Sequence, residues 1–279
     1  MGTMDEQGDI EVPVEYRRPS GGIFITRGMT VGLPPDFQIS IDPDGEVCTP
    51  PLNLHVLIDM CPYWLEIALD HLSASESRHV EVLRAIQTPD DERLNAALEA
   101  EFTSCMQGTT AAAIAIDSFY AAVKKHIVVP KETTRIWREN NLARYKQIAE
   151  VMRLAFRLKD EELRRLRETL KLLFDWRDMA VHPSADLQEA VWHPDISLAT
   201  EWRFTCFRLH NALCLTKAAM IIVAQLTPRP APKFPNLVSY CEAATVRIAP
   251  LVGRWETQYG FLYERPDTGG GSGLANVLA

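Results

Sequence analysis

After Pro51 apolar residues recur at helical spacing as far as about Leu226, whereas the first 50 residues set short β-branched runs between glycines and prolines. Ile23 to Thr26 and Gln38 to Ile41 are such runs, and they predict a small two-stranded or irregular appendage. A first helical region is expected from Leu54 to Ile86, started or interrupted at Pro62, with Trp64, Ile67, Ala68 and Leu72 on one face. Thr88-Pro89-Asp90-Asp91 then reads as a helix start. Threonine caps, proline takes the first helical position, and the acids meet the positive end of the dipole.

That second helix carries Leu94, Ala97, Leu98 and Phe102 and is expected to stop or kink near Gly108. Thr109 and Thr110 can cap a new helix, TAAAIAIDSFYAAVKKHI, whose alanines let another helix approach closely. A linker through Pro130 leads to a helix over Asn140 to Leu158, where Leu142, Tyr145, Ile148, Ala149, Met152, Ala155 and Phe156 follow a period of 3.6. Asp160 reads as the N-cap of the next helix, which has Leu163, Leu166, Leu170 and Leu173 on one stripe. The next position on that stripe is Arg177. A last long helix is expected from about Ser197 to Leu226, with Trp202, Cys206, Leu209, Leu213, Thr216, Met220 and Val223 along one seam. The prolines of TPRPAPKFPN end it. Residues 237 to 265 predict one further short element, and DTGGGSG a flexible tail.

The pattern predicts an all-α protein, an up-and-down bundle of about five or six helices with short loops. The expected organisation is a β or irregular appendage over 1–50, the bundle over 51–226, and a proline-rich linker, short element and tail over 227–279.

Composition narrows the class. A 47% apolar content in 279 residues is ample for a sizeable core. The longest apolar runs, such as Met220 to Ala224, fall far short of the roughly 20 residues a membrane span needs. MGTMDEQGD is acidic and lacks the layout of a secretory signal, so a cytoplasmic protein is expected. The six cysteines form no C-x-x-C pair and read as reduced, mostly buried small side chains. Net charge is -8, yet Lys124 to Arg177 holds 15 Lys or Arg against 8 Asp or Glu, a local +7 against -15 elsewhere. That basic stretch either steers an acidic ligand or is a helix pair laced with ion pairs.

The candidate chemistry lies at FDWRDMAVHP, Phe174 to Pro183. Arg177 continues a leucine stripe, where a guanidinium is expensive unless the stripe ends at a cleft or the charge is paired. Pro183 places His182 at or just beyond the helix end. Helix C-termini favour Arg and His on dipole grounds alone, so a structural role stays open. Arg203 and His210 have comparable spacing, but Arg203 precedes Phe204 and is expected to stay inside a helix.

RDMAVH resembles the signature of the HEPN (higher eukaryotes and prokaryotes nucleotide-binding) all-α domains: arginine, a polar residue, a short spacer, then histidine near a helix end. TTAAAIAIDSFYAAV is similar to the alanine-rich early helix of that fold, and Ser197 to Leu226 to its closing helix; the resemblance covers residues 90 to 226. It implies a metal-independent endoribonuclease that acts as a homodimer without a cofactor, a toxin or antiviral defence effector. Arg177, His182 and Asp178 would be its catalytic residues, and RNA its substrate. It also leaves room for a cognate inhibitor protein, and for members that keep the fold and only bind RNA, a nucleotide or a protein.

The chemistry agrees with those residue types. Metal-free RNA cleavage needs a base for the 2'-hydroxyl, an acid for the 5'-oxygen and a cation on the phosphate. Histidine suits the first two roles and arginine the third. One chain supplies one such histidine, and a two-fold dimer supplies two. Asp178 is expected to orient a cation or to partner the arginine when RNA is absent.

Arg153, Arg157, Arg164 and Lys171 are candidates for tracking RNA phosphates, against a reading as solvated helix charges. Trp137 and Trp192 can stack on bases or pack. His126 and His193 read as structural. The chain has no G-x-x-x-x-G-K-[ST], H-E-x-x-H or G-x-S-x-G pattern, so nucleotide hydrolysis, zinc proteolysis and serine hydrolysis find no motif.

Overall fold

A computed structural model describes residues 24–33, 37–48, 54–182 and 187–263. Of the described residues 67% are helical, so the fold is mostly all-α with a small β-containing N-terminal unit. The chain divides between Ile58 and Asp59 into two units.

In the first unit, β1 (Met29–Gly32) pairs antiparallel with β4 (His55–Ile58), and β2 (Ser40–Ile41) with β3 (Val47–Cys48). The unit ends after Ile58 rather than at residue 50 because β4 supplies the partner strand for β1. His55 to Ile58 were expected in a helix. They are instead a strand of exposed residues, and helix begins only past Asp59.

The second unit holds eight helices among its described residues: α1 (Cys61–Ala85), α2 (Asp91–Lys125), α3 (Lys131–Glu139), α4 (Arg144–Phe156), α5 (Asp160–Val181), α6 (Trp202–Cys206), α7 (Leu209–Leu226) and α8 (Pro235–Tyr259). A hairpin of β5 (Val191–His193) and β6 (Leu198–Thr200) precedes α6. Pro62 sits in the first turn of α1, where a missing N–H costs nothing. Asp90, not Thr88, caps α2 by accepting the Arg93 N–H at 3.0 Å, while the Thr88 hydroxyl donates back to the Ala85 carbonyl. At α5 the cap is Lys159, whose N–H donates to Glu162 Oε2 at 3.0 Å, so Asp160 is already helical.

α2 runs unbroken through Gly108 for 35 residues, roughly 52 Å at 1.5 Å per residue. Gly108 is a packing position rather than a stop. A Cβ built there would meet His71 Cβ at 3.4 Å and the Ala68 carbonyl oxygen at 3.5 Å. Its lack of a side chain lets α1 and α2 pack closely as an antiparallel pair, and this offsets the entropic cost of a mid-helix glycine. Gly108→Leu is therefore expected to destabilise by roughly 1–3 kcal/mol through overpacking. A urea midpoint within error of the parent would contradict that account.

α2 is the hub of the core, touching α1, α4, α5, α6 and α7. Its Ala111, Ala112, Ala113 and Ala115 are all buried, with Phe119 stacked on Phe156 of α4 at 6.0 Å. α7 is apolar on nearly every side and, by length and composition, could cross a membrane, with mean hydropathy 1.4. More than half of it, 56%, is buried inside the bundle, as expected of a central helix.

Two further expectations are corrected. The helix from Ser197 to Leu226 is broken into β6, α6 and α7. Phe207 is buried and Arg208 extended between α6 and α7, and Asn211 Nδ2 donates to the Thr205 and Cys206 carbonyls that the break exposes. The C-terminal element is also not short. α8 has 25 residues and runs through Pro250, with Leu237, Cys241, Ala244, Ile248, Leu251 and Trp255 buried at alternating steps of four and three. Its interior proline removes one backbone hydrogen bond, and that apolar seam holds the helix together across the gap. Arg247 pairs with Asp59 at 2.9 Å and Arg254 with Asp70 at 2.6 Å, so α8 lies parallel to α1. The glycine-rich tail expected near residue 270 lies outside the described residues.

Candidate functional site at the end of helix α5

α5 ends at Val181, and His182 is its exposed C-cap, with its N–H donating to the Asp178 carbonyl at 2.8 Å. Pro183 lies outside the described residues. Leu163, Leu166, Leu170 and Leu173 are all buried, and Phe174 with them. Arg177 is where that stripe leaves the core. Its side chain is 26% exposed, and its guanidinium lies 4.6 Å from the centroid of the Phe174 ring.

Asp178 Oδ1 accepts from Arg177 Nε at 3.0 Å and from Nη2 at 2.5 Å. The cation is thus held by its own sequence neighbour at the surface, not by an acid from the core. The backbone explains why Arg177, Asp178 and His182 all fall at the end of α5. The stripe reaches the end of α5, where Trp176 packs edge-on against Phe207 at 5.7 Å and closes the core beneath Arg177.

Three of the four cations expected to track RNA are bonded to acids of their own helix. Arg153 is bonded to Glu150, and Arg164 to both Glu161 and Glu168. Those two arginines belong to intrahelical ion pairs, and Arg164 and Arg165 together hold the Glu161 carboxyl down to about 2. Arg157 is the left-handed C-cap of α4, with φ 54° and an exposed side chain. Lys171 differs. Although it bonds Asp175 one turn on, it also lines a cleft of about 500 Å³ between α3, α4 and α5.

Trp137, Leu142 and Tyr145 form the apolar wall of that cleft, and Lys146, Arg167 and Lys171 carry its positive charge. Glu150 and Glu168 line it as well. Trp137 and Leu142 also wall a second cavity of about 560 Å³, whose charged residues are Lys124 and Arg138. Sequence reading singled out Trp137 and Lys171 but passed over Tyr145, Lys146 and Arg167. The available signal was the one-turn pair Arg167 and Lys171 opposite a Tyr-Lys step. What hid it was α3, unrecognised in the supposed linker.

Comparison of the sequence with protein-family models and with curated proteins, and of the structure with solved structures, finds no match.

Arg203 and His210, set aside on the expectation of one continuous helix, are separated by the break at Phe207 and Arg208. Arg203 pairs with Glu201, which caps α6, and lies against Trp202 at 4.6 Å, while His210 is exposed on α7 near Cys214. Trp192, a candidate for stacking, is 61% exposed on β5. His126 stacks on Tyr240 at 5.4 Å, and its imidazole is held below its ordinary range by burial and then by Lys125.

A buried polar cluster escaped the sequence reading. Glu101 of α2 is 2% exposed, accepts the Leu209 N–H at the start of α7 at 2.9 Å, and lies 3.0 Å from His79 Nδ1. Nearby, Arg208 Nη1 donates to both Asp195 oxygens at 3.1 Å. This cluster clamps the broken helix junction to α1 and α2. Among the described residues no group of three His, Cys, Asp or Glu is arranged to hold a metal ion. Cys61, Cys105 and Cys241 are free and buried, with Cys105 and Cys241 thiols pushed up to about 12 by burial; Cys206 is partly exposed and Cys214 exposed.

His193 is buried beside this cluster, its Nδ1 accepting the Asp195 N–H at 3.3 Å. Burial is the largest influence and holds its imidazole below the ordinary value, with Asp195, Glu101 and a hydrogen bond to the Phe204 backbone opposing, and Arg208 adding to the depression. The native chain keeps His193 neutral, while the unfolded chain takes up a proton below about pH 6.5. The unfolded state then binds more protons, so stability falls as the pH drops through 6.5 towards the native value. His193→Gln is expected to flatten that decline in urea midpoints between roughly pH 7 and 5. An equally steep decline in the variant would show that another group carries it.

Proposed function

We propose that the chain is a metal-independent endoribonuclease of the HEPN type, a toxin or defence effector that acts as a homodimer. The observation that carries this reading is the end of α5. There a partly buried guanidinium leaves a buried leucine stripe, held by Asp178, and an exposed histidine follows as the helix cap.

Two such ends facing each other across a two-fold axis supply what the reaction needs. One His182 takes the proton of the 2'-hydroxyl, whose oxygen attacks the phosphorus. The bond to the 5'-oxygen breaks, and the second His182 protonates that oxygen, leaving a 2',3'-cyclic phosphate and a 5'-hydroxyl. Arg177 neutralises the charge gained on the phosphate oxygens. Asp178 holds the guanidinium in position until the phosphate arrives. Purified protein in excess chelator should release cyclic-phosphate ends from single-stranded RNA and sediment as a dimer, while His182→Ala sediments alike and cuts at least about 10²-fold more slowly. Equal activity in both proteins, or none in either, would sink the reading.

The Arg177–Asp178 pair also supports a second reading, a module of the same fold that binds RNA, a nucleotide or a protein without catalysis. An arginine already neutralised by its neighbour needs no phosphate for compensation. Asp178→Asn separates the two. It changes the cleavage rate of an enzyme, whereas in a binding module it strengthens anion binding with no turnover.

A further inference from the structure

The cleft between α3, α4 and α5 has a composition that the helix-end chemistry does not use. Around the shared wall of Trp137 and Leu142, the two cavities carry Lys124, Arg138, Lys146, Arg167 and Lys171 against only Glu150 and Glu168. This is a local +3 on a chain whose net charge is -8. Lys124 Nζ lies 5.7 Å from the Trp137 ring, and Lys146 Nζ lies 5.8 Å from the Tyr145 ring. Aromatic surface flanked by cations suits a ligand that joins a flat ring to a negative charge. Glu150 lies within 3.9 Å of Arg167, and Asp175 is bonded to Lys171, which holds these two cations in place.

The cleft's α5 residues share a helix face with Asp178 and the His182 cap, while Arg177, on the leucine stripe, lies about 80° from Arg167. At 100° per residue, positions 167, 171, 178 and 182 fall within about 60° of one another. Lys171 and His182 are about 17 Å apart along the axis, at about 1.5 Å per residue. That is the length of about five stacked nucleotides at about 3.4 Å each.

We infer that this cleft is a base-and-phosphate subsite for single-stranded RNA, which places an unpaired base against Tyr145 and the edge of Trp137. Lys146, Arg167 and Lys171 hold the adjoining phosphates, and the strand continues along α5 to His182. The inference rests on the ribonuclease reading for the strand's destination, but not for its binding.

The test uses full-length His182→Ala protein and a fluorescein-labelled single-stranded RNA of roughly 12 nucleotides, within the range such grooves accommodate. Tyr145→Ala is expected to weaken binding by about 5- to 150-fold, the range of one lost base stack. Lys146→Ala and Arg167→Ala should each reduce the slope of log K against log salt by about 0.7. A fully paired duplex of the same sequence should bind at least about tenfold more weakly, because its bases are not free to enter. In the active background the same three substitutions should raise KM and leave kcat unchanged.

Unchanged binding and salt slope in folded cleft variants overturn the inference, even if the protein cuts RNA. Equal affinity for duplex overturns it too, as does binding of free mononucleotides with no affinity for the strand. Cleft-dependent RNA binding by a protein that never cuts leaves the inference standing and removes the ribonuclease reading instead.

Discussion

His182→Ala should lower the rate of RNA cleavage in excess chelator by about 10²- to 10⁴-fold, the usual contribution of a positioned proton-transfer group. The effect belongs on kcat, because the imidazole acts on protons that move only in the transition state. Arg177→Ala should cost about 10²- to 10³-fold, as for loss of one charge-stabilising donor, and Arg177→Lys should recover only part of it. A lysine supplies the charge without the forked donors that meet two phosphate oxygens. Mixed dimers separate this account from a one-chain site. A wild-type chain paired with a His182→Ala chain should lose most of its activity, since one histidine cannot be both base and acid within a single turnover. A mixed dimer with half the wild-type rate would show that each chain works alone.

Trp255→Ala should destabilise the helical unit by about 3–5 kcal/mol, because a buried indole is removed and the cavity cannot collapse fully. Trp255 is 1% exposed and lies against Tyr259 at 4.6 Å, and α8 is tied to α1 through Arg254 and Asp70. With a urea slope of about 3 kcal/mol/M, the midpoint should fall by roughly 1 M or more. A loss below about 1 kcal/mol would mean that α8 is a peripheral helix and that the bundle stands without it. The exposed ion pairs of α5 make a useful control. Disrupting Arg164 with Glu161 and Glu168 should move the midpoint far less, since such surface pairs contribute about 0–1 kcal/mol.

In α4 and α5, where a periodic apolar stripe ran without interruption, the elements could be read directly. The stripe of Leu163, Leu166, Leu170 and Leu173 is buried as its spacing demands, as are Ile148, Ala149, Met152, Ala155 and Phe156. The errors fell where a local signal competed with packing. Gly108 reads as a break in isolation, yet it sits where α1 crosses closely. Pro250 reads as a helix terminator, yet the seam from Leu237 to Trp255 carries the helix past it. Between Ser197 and Leu209 the helical pattern looks continuous, but Glu101 caps a new helix at Leu209 from 108 positions away. No local window contains that partner.

The helix-end residues were legible for the same reason as the stripe. Arg177, Asp178 and His182 owe their positions to one helix, its register and its end. The cleft was not legible in this way, because its wall comes from α3, the following loop and α4, and its cations from α4 and α5.

The order of residues along the chain was thus enough to set the mostly all-α class, the buried faces of α4 and α5, and the placing of Arg177, Asp178 and His182 at one helix end. These depend on spacing within a few turns. Only the folded chain decided that α2 is unbroken, that the C-terminal segment completes the bundle, and which of many basic residues share a cavity. Those outcomes turn on contacts between residues distant in sequence, where burial outweighs the local preferences of glycine, proline and charge.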